Sequence, residues 1–395
     1  MSEVSIVVAG AGFGGVRAAL DLAKNLPSAK ITLINNNPYH CFNPNLYELA
    51  AIKLQHEGKL EFQNLQGAFN IPLELIFQNS QVEVIIQKIS QIDLEQKRVW
   101  VGTHQLKFDF LILSLGSKTN YFGVPGAKDF SHPFKTAEDA LNIHNDLEER
   151  VSMGQLPKVV IAGGGFTGVE IAGQLKEFLP KDSTVTILEA AESVLNGMPD
   201  WAKKYANQRL QSLGVEVKLK HLIKKISQSE IYCEGEPPLQ YDYLVWVTGV
   251  EGENLNKQIK GVELTKRGQI SVQSDLSLVN HPEVFVVGDL AQVMDPNSAR
   301  PMAATAWAAI SHAKAAAKNV VLKAKQQSTQ NYQAIHPGFV VTIGNKFAIS
   351  NLFGLSIKGL IGWVIEEFIR LRYLLSILSP LQAFTIWWRG VKTSR

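Results

Sequence analysis

The sequence predicts an α/β fold made of two similar halves, the second inserted in the first, with a helical segment at the C-terminus. The pattern G-x-G-x-x-G occurs twice, as GAGFGG at 10–15 and as GGGFTG at 163–168, each directly after a short apolar run. Later markers repeat as well, since FDFLILSLG at 108–116 is similar to YDYLVWVTG at 241–249. The apolar, tryptophan-containing stretch from residue 357 onward predicts the C-terminal helices.

The first glycine pattern lies at the turn of a predicted βαβ unit. Residues 6–8 are typical of a buried parallel strand, residues 13–25 have the period of a helix, and a second apolar strand follows. In such a loop Gly10 permits a tight turn, Gly12 lets backbone N–H groups approach a pyrophosphate, and Gly15 lets helix and strand pack closely. The phosphate charge then lies at a helix N-terminus, which favours anions. The sequence therefore predicts a Rossmann-like dinucleotide-binding domain.

The second pattern repeats this arrangement with Gly163, Gly165 and Gly168, and its second strand ends at Glu189. An acidic side chain at that position bonds ribose hydroxyls. It also repels a 2′-phosphate, so this half is expected to prefer NADH over NADPH. The equivalent residue of the first half is Asn35, which can bond ribose without a charge. The alternative is one working loop and one decayed duplicate.

The repeat also locates an insertion. The spacing from Val82 to Val215 equals that from Phe108 to Tyr241, but the two glycine loops lie further apart. The first copy therefore holds extra residues, in 37–50 and the stretch directly after it. Each copy is expected to carry a short β-meander after its second strand. Inserted loops often carry function.

The composition excludes several classes of protein. The chain has 395 residues, 46% of them hydrophobic, and a formal net charge of +3, so bulk charge indicates no acidic partner. Two cysteines match neither a zinc module nor a disulfide scaffold. Nine histidines show no metal-ligand spacing, and no basic and aromatic groove indicates nucleic acid. The N-terminal residues lack the pattern of a signal peptide, so a reducing cytoplasm is expected.

Together with VFVVGDLA at 284–291, these motifs resemble the flavoprotein oxidoreductases with two dinucleotide-binding domains. The resemblance implies that residues 1–118 and 250–330 form an FAD-binding domain and residues 119–249 an NADH-binding domain. Asp289 of the late glycine–aspartate motif would then meet the ribityl and pyrophosphate part of the flavin.

Finer motifs resemble type II NADH dehydrogenase, the single-subunit, non-pumping NADH:quinone oxidoreductase. They are NPYHCFNPNLYELA at 37–50, TNYFGVPG at 119–126, FKTAEDAL at 134–141 and GGGFTGVEIAG at 163–173. The resemblance implies hydride transfer from NADH to FAD and then two-electron reduction of a membrane quinone. It also implies these further cofactor contacts: Phe13, Gly14, Asn36, His40, Gly116, Ala306, Thr167 and Gly249.

Two candidate catalytic residues follow from the resemblance. Glu170 would lie where the NADH and quinone pockets meet and relay a proton, or else serve only as a charge at the start of the helix or as a nucleotide contact. The family usually carries A-Q-x-x-x-Q on the helix after the glycine–aspartate motif, whereas Trp307 and Ser311 occupy the glutamine positions here. Trp307 either stacks on a quinone ring or fills a site that has lost quinone.

The rival predictions concern the electron acceptor. Disulfide reductases carry C-x₄-C after the first unit, where this chain has only Cys41, and Cys233 stands alone in the second meander. Cys41 is either a reactive thiol near the flavin or a small packing residue. The same scaffold could reduce a ferredoxin, a rubredoxin-type protein or a small molecule, or act as a slow-turnover, NADH-binding redox sensor.

Residues 331–395 are expected to form a membrane-anchoring module. The uncharged stretch 373–388 is shorter than the ~20 residues that span a bilayer. Two amphipathic helices, split at Pro380, are therefore expected to lie in the interface, with Trp387 and Trp388 at the headgroups. A dimerisation face or a final core helix is the alternative, and a homodimer stays open. The protein is expected to be a peripheral membrane protein on the cytoplasmic side.

Overall fold

The computed structural model describes residues 3–52, 69–252, 259, 262–295 and 300–393. Part of the predicted insertion, residues 53–68, lies outside the described residues. The chain divides into two compact units. The first comprises the described parts of Met1–Cys41, Asn70–Lys118 and Val250–Ile335, and the second those of Phe42–Phe69, Thr119–Gly249 and His336–Arg395.

The first unit is built on a five-stranded parallel sheet with the order β21-β9-β1-β2-β5. Its central strand, SIVVA, is an almost continuous apolar run, as a parallel strand covered on both faces requires. A meander of three antiparallel strands, β6 to β8, follows the sheet's fifth strand. The elements are β1 Ser5–Ala9, α1 Phe13–Asn25, β2 Lys30–Asn35, β3 Tyr39–Cys41, β4 Asn70–Pro72, α3 Leu73–Phe77, β5 Glu83–Ile86, β6 Ile89–Asp93, β7 Arg98–Val101, β8 His104–Lys107, β9 Phe110–Leu113, β10 Ser117–Thr119 (which ends in the second unit), β19 Val250–Gly252, β20 Ile270–Ser271, β21 Val284–Val286, β22 Ala291–Gln292 and α8 Ala306–Ala324.

The second unit repeats that plan with a parallel sheet of order β11-β18-β12-β13-β14 and a meander β15-β16-β17. Its elements are α2 Leu46–Ala50, α4 Ala127–Phe130, β11 His132–Pro133, α5 Ala137–Ser152, β12 Lys158–Ala162, α6 Phe166–Phe178, β13 Thr184–Glu189, α7 Asp200–Leu213, β14 Glu216–Leu219, β15 Ile223–Ile226, β16 Glu230–Cys233, β17 Leu239–Gln240, β18 Tyr243–Trp246, β23 Gly338–Thr342, β24 Ala348–Leu352, β25 Leu355–Gly359, α9 Leu360–Ile377 and α10 Pro380–Thr393.

Matching hydrogen bonds show how closely the two halves repeat. The Thr32 hydroxyl donates to Glu83 in the first sheet, and the Thr186 hydroxyl donates to Glu216 at the equivalent point of the second. These bonds join the second strand of each sheet to its neighbour. The predicted duplication therefore extends from the glycine loops to the sheet edges.

The two units differ from the predicted domain limits in two segments. Helix α2, which belongs to the sequence insertion, packs against α5 and α6 and so falls in the second unit. The chain from His336 onward also falls in the second unit, because the antiparallel sheet β23-β24-β25 and helix α9 pack on it. The assignment of FAD and NADH to these units stays a prediction.

Helices α9 and α10 are the two helices expected on either side of Pro380. Gly362 lets α9 approach β24 closely, since a Cβ there would lie 2.5 Å from the carbonyl oxygen of Ala348. Among the helices that the structure describes, none is both long and apolar enough to cross a bilayer.

Candidate functional site

The first glycine loop has three crowded glycines and one open glycine. Gly10 has a φ of +98°, and a Cβ on Gly15 would lie 1.7 Å from the carbonyl oxygen of Gly10. A Cβ on Gly14 would lie 2.8 Å from the Ser114 hydroxyl. At Gly12, the N-cap of α1, nothing lies within 4 Å of the Cβ position. The crowded glycines therefore shape the turn, and the open one leaves space at the helix N-terminus.

Two polar side chains bind the backbone of Ala11, the residue next to this open glycine. The side-chain Oδ1 of Asn35 accepts a hydrogen bond from the backbone N–H of Ala11 at 3.0 Å. His40 is buried, and burial lowers its pKa to about 4, so the ring is neutral. Its Nδ1 lies 2.9 Å from the carbonyl oxygen of Ala11 and must carry the proton, since a carbonyl only accepts. The Phe13 ring contacts His40 edge-on at 4.9 Å, whereas Asn36 is exposed beside the loop.

The late glycine–aspartate motif is held in the same unit. The Ser117 hydroxyl donates to Asp289 Oδ2 at 2.7 Å, next to Gly116, whose φ is +75°. Helix α8 begins at Ala306, where the Thr305 hydroxyl accepts a hydrogen bond from a backbone N–H of the first turn. Asp289, Gly116 and Ala306 are the predicted contacts of a flavin nucleotide in this unit.

The residues of the first loop fit a bound dinucleotide. A pyrophosphate needs room and free N–H groups at a helix N-terminus. Gly12 provides the room, and the first turn of α1 carries no acidic residue that would repel an anion.

The second glycine loop has the same geometry. A Cβ on Gly168 would lie 1.9 Å from the carbonyl oxygen of Gly163, and nothing lies within 4 Å of the Cβ position of Gly165. Gly163 has a φ of +112°, and Thr167 is exposed in the first turn of α6, which carries no acidic residue. Both loops therefore have the same backbone form, with an open glycine at the helix N-terminus.

Glu189 lies against the second glycine loop. Its carboxylate accepts hydrogen bonds from the backbone N–H groups of Gly164 at 2.6 Å and Ala191 at 2.7 Å. Asn35 binds its own loop in the same way. Gly249, another predicted contact, is covered by Phe122, because a Cβ there would lie 2.9 Å from that ring.

Trp307 and Ser311 both contact the chain segment that follows α8. The indole N–H of Trp307 donates to the carbonyl oxygen of Ile335 at 3.2 Å, and the ring remains 38% exposed. The Tyr332 hydroxyl donates to Ser311 Oγ at 3.1 Å, and its ring contacts His312. Residues 332–335 thus hold the side chains of Trp307 and Ser311, the two residues at the positions expected to carry glutamine.

Sequence reasoning singled out Glu170 but missed the acid cluster around it in the second unit, defined here as Glu48, Glu170, Glu366 and Glu367 with Arg370. Glu48, Glu367 and Arg370 are buried, whereas Glu170 and Glu366 are partly exposed. The Arg370 guanidinium lies 3.4 Å from Glu48 Oε2 and over the rings of Phe42 and Phe69. Four carboxyl groups therefore share one cation within the cluster.

Hydrogen bonds connect the cluster to its surroundings. The Tyr47 hydroxyl donates to Glu366 Oε1 at 2.5 Å, and the Thr342 hydroxyl donates to Glu366 Oε2. The backbone of Thr342 also donates to Glu170. The indole N–H of Trp387 donates to Glu367 Oε2 at 2.8 Å.

Burial sets the protonation of the cluster. It raises the pKa of Glu48 to about 8, although the Arg370 guanidinium lowers that pKa. Burial likewise raises the pKa values of Glu170, Glu366 and Glu367, and neighbouring carboxylates raise those of Glu170 and Glu366 further. Some of these carboxyl groups are therefore protonated at neutral pH.

Comparison with known proteins decides the family. The family model described as pyridine nucleotide-disulphide oxidoreductase matches residues 4–319, most of the chain. The chain belongs to the pyridine nucleotide-disulphide oxidoreductase family.

Curated relatives and solved structures show which members of this family the chain is similar to. The type II NADH:quinone oxidoreductases of Staphylococcus haemolyticus and Staphylococcus epidermidis are 27% and 28% identical over 377 residues, covering 90% of this chain and 91% of theirs. The structure of NDH2 from Plasmodium falciparum in complex with NADH has a TM-score of 0.84 at 16% identity and covers 99% of this chain and 98% of that one. The sulfide:quinone oxidoreductase of Aquifex aeolicus has a TM-score of 0.79 at 20% identity, covering 94% and 90%.

No disulfide joins the two cysteines of this member of the pyridine nucleotide-disulphide oxidoreductase family. Cys41 ends β3 and Cys233 ends β16. Burial raises the pKa of the Cys233 thiol, which disfavours the reactive thiolate. Among the described residues, no group of acidic, cysteine and histidine side chains is arranged to hold a metal ion.

We expect Glu189→Gln to narrow the preference for NADH over NADPH by roughly tenfold, because the change removes the charge that repels the 2′-phosphate. The ratio of kcat/KM for the two nucleotides measures this. Glu192→Gln is the matched control, since that acid is exposed and paired with Lys220. Equal use of both nucleotides by the unmodified protein would contradict the role of Glu189.

Proposed function

We propose that the protein is an FAD-containing NADH:quinone oxidoreductase that does not pump ions. The observation that carries this is the presence of two intact dinucleotide loops in a chain that matches type II NADH:quinone oxidoreductases over 90% of its length. A bound flavin would accept a hydride from NADH and pass two electrons to the quinone.

Each of the two glycine loops would bind one of the two nucleotides. Gly10 to Gly15, Asn35 and Asp289 would hold FAD in the first unit. Gly163 to Gly168 and Glu189 would hold NADH in the second. The fit of the first loop rests on the open space at Gly12 and on the neutral His40, which leaves the site without an added charge.

Steady-state kinetics of the purified protein test the proposal. NADH oxidation should depend on added quinone and saturate with it, across a panel of soluble benzoquinones and naphthoquinones. Ferricyanide reduction without quinone reduction would overturn the quinone assignment and favour another acceptor. NADH binding with negligible turnover of every acceptor would favour a redox sensor.

The outer face of α9 and α10 supports a membrane-bound acceptor. Ile361 and Phe368 of α9 are each 65% exposed, and Leu381 of α10 is 79% exposed. Soluble proteins rarely expose such a row of large apolar side chains without a partner. Arg372 and Arg389 lie exposed on the same two helices, where they suit anionic lipid headgroups. We therefore propose peripheral attachment to the cytoplasmic face of a membrane, with this surface in contact with lipid.

Substitutions on this face test the attachment better than deletion of residues 357–395, because deletion would also remove the buried Arg370, Leu374 and Ile377. We expect Phe368→Ser with Phe384→Ser to weaken binding to anionic vesicles about tenfold or more. The variant lacks the two aromatic rings whose transfer from water to lipid would favour binding. Vesicle flotation measures this binding.

The control for flotation is Met153→Ser with Leu156→Ser, which removes two exposed apolar side chains elsewhere in the second unit. Unchanged flotation of the phenylalanine variant would contradict the lipid contact. If that variant instead converts a dimer to a monomer, the surface is an interface between two copies.

Trp307 is expected to contribute its ring to the quinone site. Trp307→Ala should slow reoxidation of the reduced flavin by quinone, because the quinone ring loses about 0.5–1.5 kcal/mol of stacking. Reduction of the flavin by NADH should stay unchanged. Trp307→Phe keeps a ring but loses the bond to Ile335, so it should retain most of the rate. Stopped-flow measurement of both half-reactions separates these effects, with ferricyanide as the control oxidant. A slower reduction by NADH would place the residue on the nucleotide side.

A further inference from the structure

Phe122 is a large aromatic residue in a turn that disfavours its side chain. The residue is 62% exposed and has a φ of +51°, and Gly123 after it has a φ of +67°. The backbone N–H of Val124 donates to the carbonyl oxygen of Tyr121 at 2.9 Å, which closes the turn. Positive φ at both central positions is typical of a type I′ turn, where glycine, asparagine and aspartate predominate. The chain therefore holds this ring at the surface at a cost in backbone energy.

Hydrogen bonds and close packing fix the loop on both sides of the turn. The Asn120 side chain accepts a hydrogen bond from the backbone N–H of Phe122 at 2.7 Å. The Asn120 carbonyl oxygen accepts one from the indole N–H of Trp246 at 2.8 Å, and the Tyr121 ring stacks on that indole at 5.9 Å. Further along, a Cβ on Gly126 would lie 2.0 Å from a backbone carbonyl oxygen of β15. The ring of Phe122 is therefore presented from an anchored backbone.

The main chain at Gly249 supports one side of the Phe122 ring. A Cβ on Gly249 would lie 2.9 Å from Cζ and 3.2 Å from Cε2 of Phe122, so only glycine lets the ring lie this close. The Gly249 carbonyl oxygen also accepts a hydrogen bond from the backbone N–H of Asn120 at 3.1 Å. The ring is thus packed on one side and open to solvent elsewhere. A supported aromatic face of this kind is suited to stack on another planar ring.

This aromatic face lies beside the second glycine loop, on the side away from Glu189. The sheet contains the order β18-β12-β13, so β18 and β13 flank β12. Glu189 ends β13, whereas Gly249 follows β18. Thr248 lies against the loop itself, because a Cβ on Gly163 would lie 3.0 Å from its Cα. A dinucleotide at such a sheet lies across the carboxyl ends of the strands, where the strand order reverses. The half that Glu189 does not hold therefore lies over the end of β18, next to Phe122.

We propose that Phe122 is a stacking platform for the nicotinamide ring of NADH. The adenosine half lies at Glu189 and the nicotinamide half at Phe122, on either side of the glycine loop. Stacking covers one face of the nicotinamide and leaves the other face free to approach a hydride acceptor. The anchored loop already holds the ring in place, so binding does not have to order it. This role rests on the proposed assignment of NADH to the second unit.

The decisive comparison is between NADH and ADP-ribose, which lacks the nicotinamide. Phe122→Asn removes the ring and supplies a residue that the turn favours, so the protein should stay folded. We expect this variant to raise the Kd for NADH about three- to tenfold, as loss of one aromatic stack would, and to leave the Kd for ADP-ribose unchanged. Phe122→Tyr keeps a ring and should bind NADH as the unmodified protein does. Calorimetric titration measures both Kd values, with any flavin reduced beforehand by dithionite so that NADH binds without reacting.

Phe353→Asn is the matched control. Phe353 is 80% exposed with a φ of +50°, and Gly354 after it has a φ of +87°, so the same dipeptide occupies the same kind of turn. This turn joins β24 to β25 in the antiparallel sheet instead of following the loop before β11. Phe353→Asn should leave both Kd values unchanged. Thermal unfolding of the two asparagine variants should show that both are folded.

Two results would overturn the platform: an unchanged Kd for NADH in Phe122→Asn, or equal weakening of NADH and ADP-ribose, which would show that the residue only shapes the glycine loop. If NADH binding weakens selectively but the protein reduces no quinone, the proposed function fails while the platform stands. If quinone reduction is intact and Phe122→Asn binds NADH normally, the platform alone is refuted. A protein that binds neither nucleotide would refute both.

Discussion

Alanine at Gly15 is expected to destabilise the first unit, whereas alanine at Gly12 is expected to leave it folded and unable to retain flavin. A Cβ at Gly15 would meet the Gly10 carbonyl oxygen at 1.7 Å, and this backbone atom cannot move without opening the turn. The cost should be about 3 kcal/mol or more. A Cβ at Gly12 meets nothing within 4 Å, so it only fills the space that a pyrophosphate needs. Thermal unfolding and flavin content of the purified variants measure the two effects.

The second loop supplies a matched pair for this experiment. Gly168→Ala should destabilise the second unit, and Gly165→Ala should raise the KM for NADH while flavin stays bound. If Gly12→Ala retains flavin as the unmodified protein does, the first loop is not the flavin site. If Gly165→Ala loses flavin and Gly12→Ala does not, the assignment of the two nucleotides to the two units is reversed.

Arg370→Met is expected to destabilise the protein by about 3–5 kcal/mol above neutral pH, because the acid cluster loses its one cation. Methionine keeps the contact with Phe42 and Phe69, so the change is mainly one of charge. The loss should shrink as the pH falls, since protonated carboxyl groups need no cation. Chemical denaturation at several pH values measures the difference in the free energy of unfolding.

The sign of this pH dependence follows from Glu48. Its folded-state pKa of about 8 lies above its ordinary value of 4.5, so the folded protein binds this proton more tightly than the unfolded chain. The stability from this group is complete below pH 4.5 and is lost as the pH rises through about 8. Glu48→Gln added to Arg370→Met should therefore restore most of the stability at high pH. A loss independent of pH, or no gain in the double variant, would contradict this account.

Elements with a strong local pattern were predictable from the sequence. The glycine loops, helices α1 and α6 and their flanking parallel strands follow from backbone requirements within about 30 residues. The observed limits of these strands differ from the predicted limits by only one or two residues. Helices α9 and α10 were also expected, because Pro380 and the apolar residues around it are local signals.

The acid cluster was not predictable, because its members are distant in sequence. Glu48 and Arg370 are separated by most of the chain, and only the fold brings them together. The one local signal was the spacing of Glu367, Arg370, Leu374 and Ile377, which places charged and apolar residues on the same face of a helix. In the sequence the charged residues of α9 look like breaks in an apolar stretch, whereas Glu367 and Arg370 are buried. Motif reasoning therefore located the nucleotide loops and Glu170, but not the acids that lie around Glu170.

The buried charges of α9 determine how this helix is rotated about its own axis when it packs. A helix that is apolar on most of its surface could bury either side, and its rotation about its own axis would be poorly specified. Turning α9 by half a revolution would move Arg370 to the exposed side of the helix and leave Glu48 without its cation, while Phe368 would take the place of ionic contacts in the interior. Buried polar residues that contribute little net stability can still exclude such alternative packings. The inward-facing charges of α9 therefore specify which side of this largely apolar helix packs against the rest of the protein.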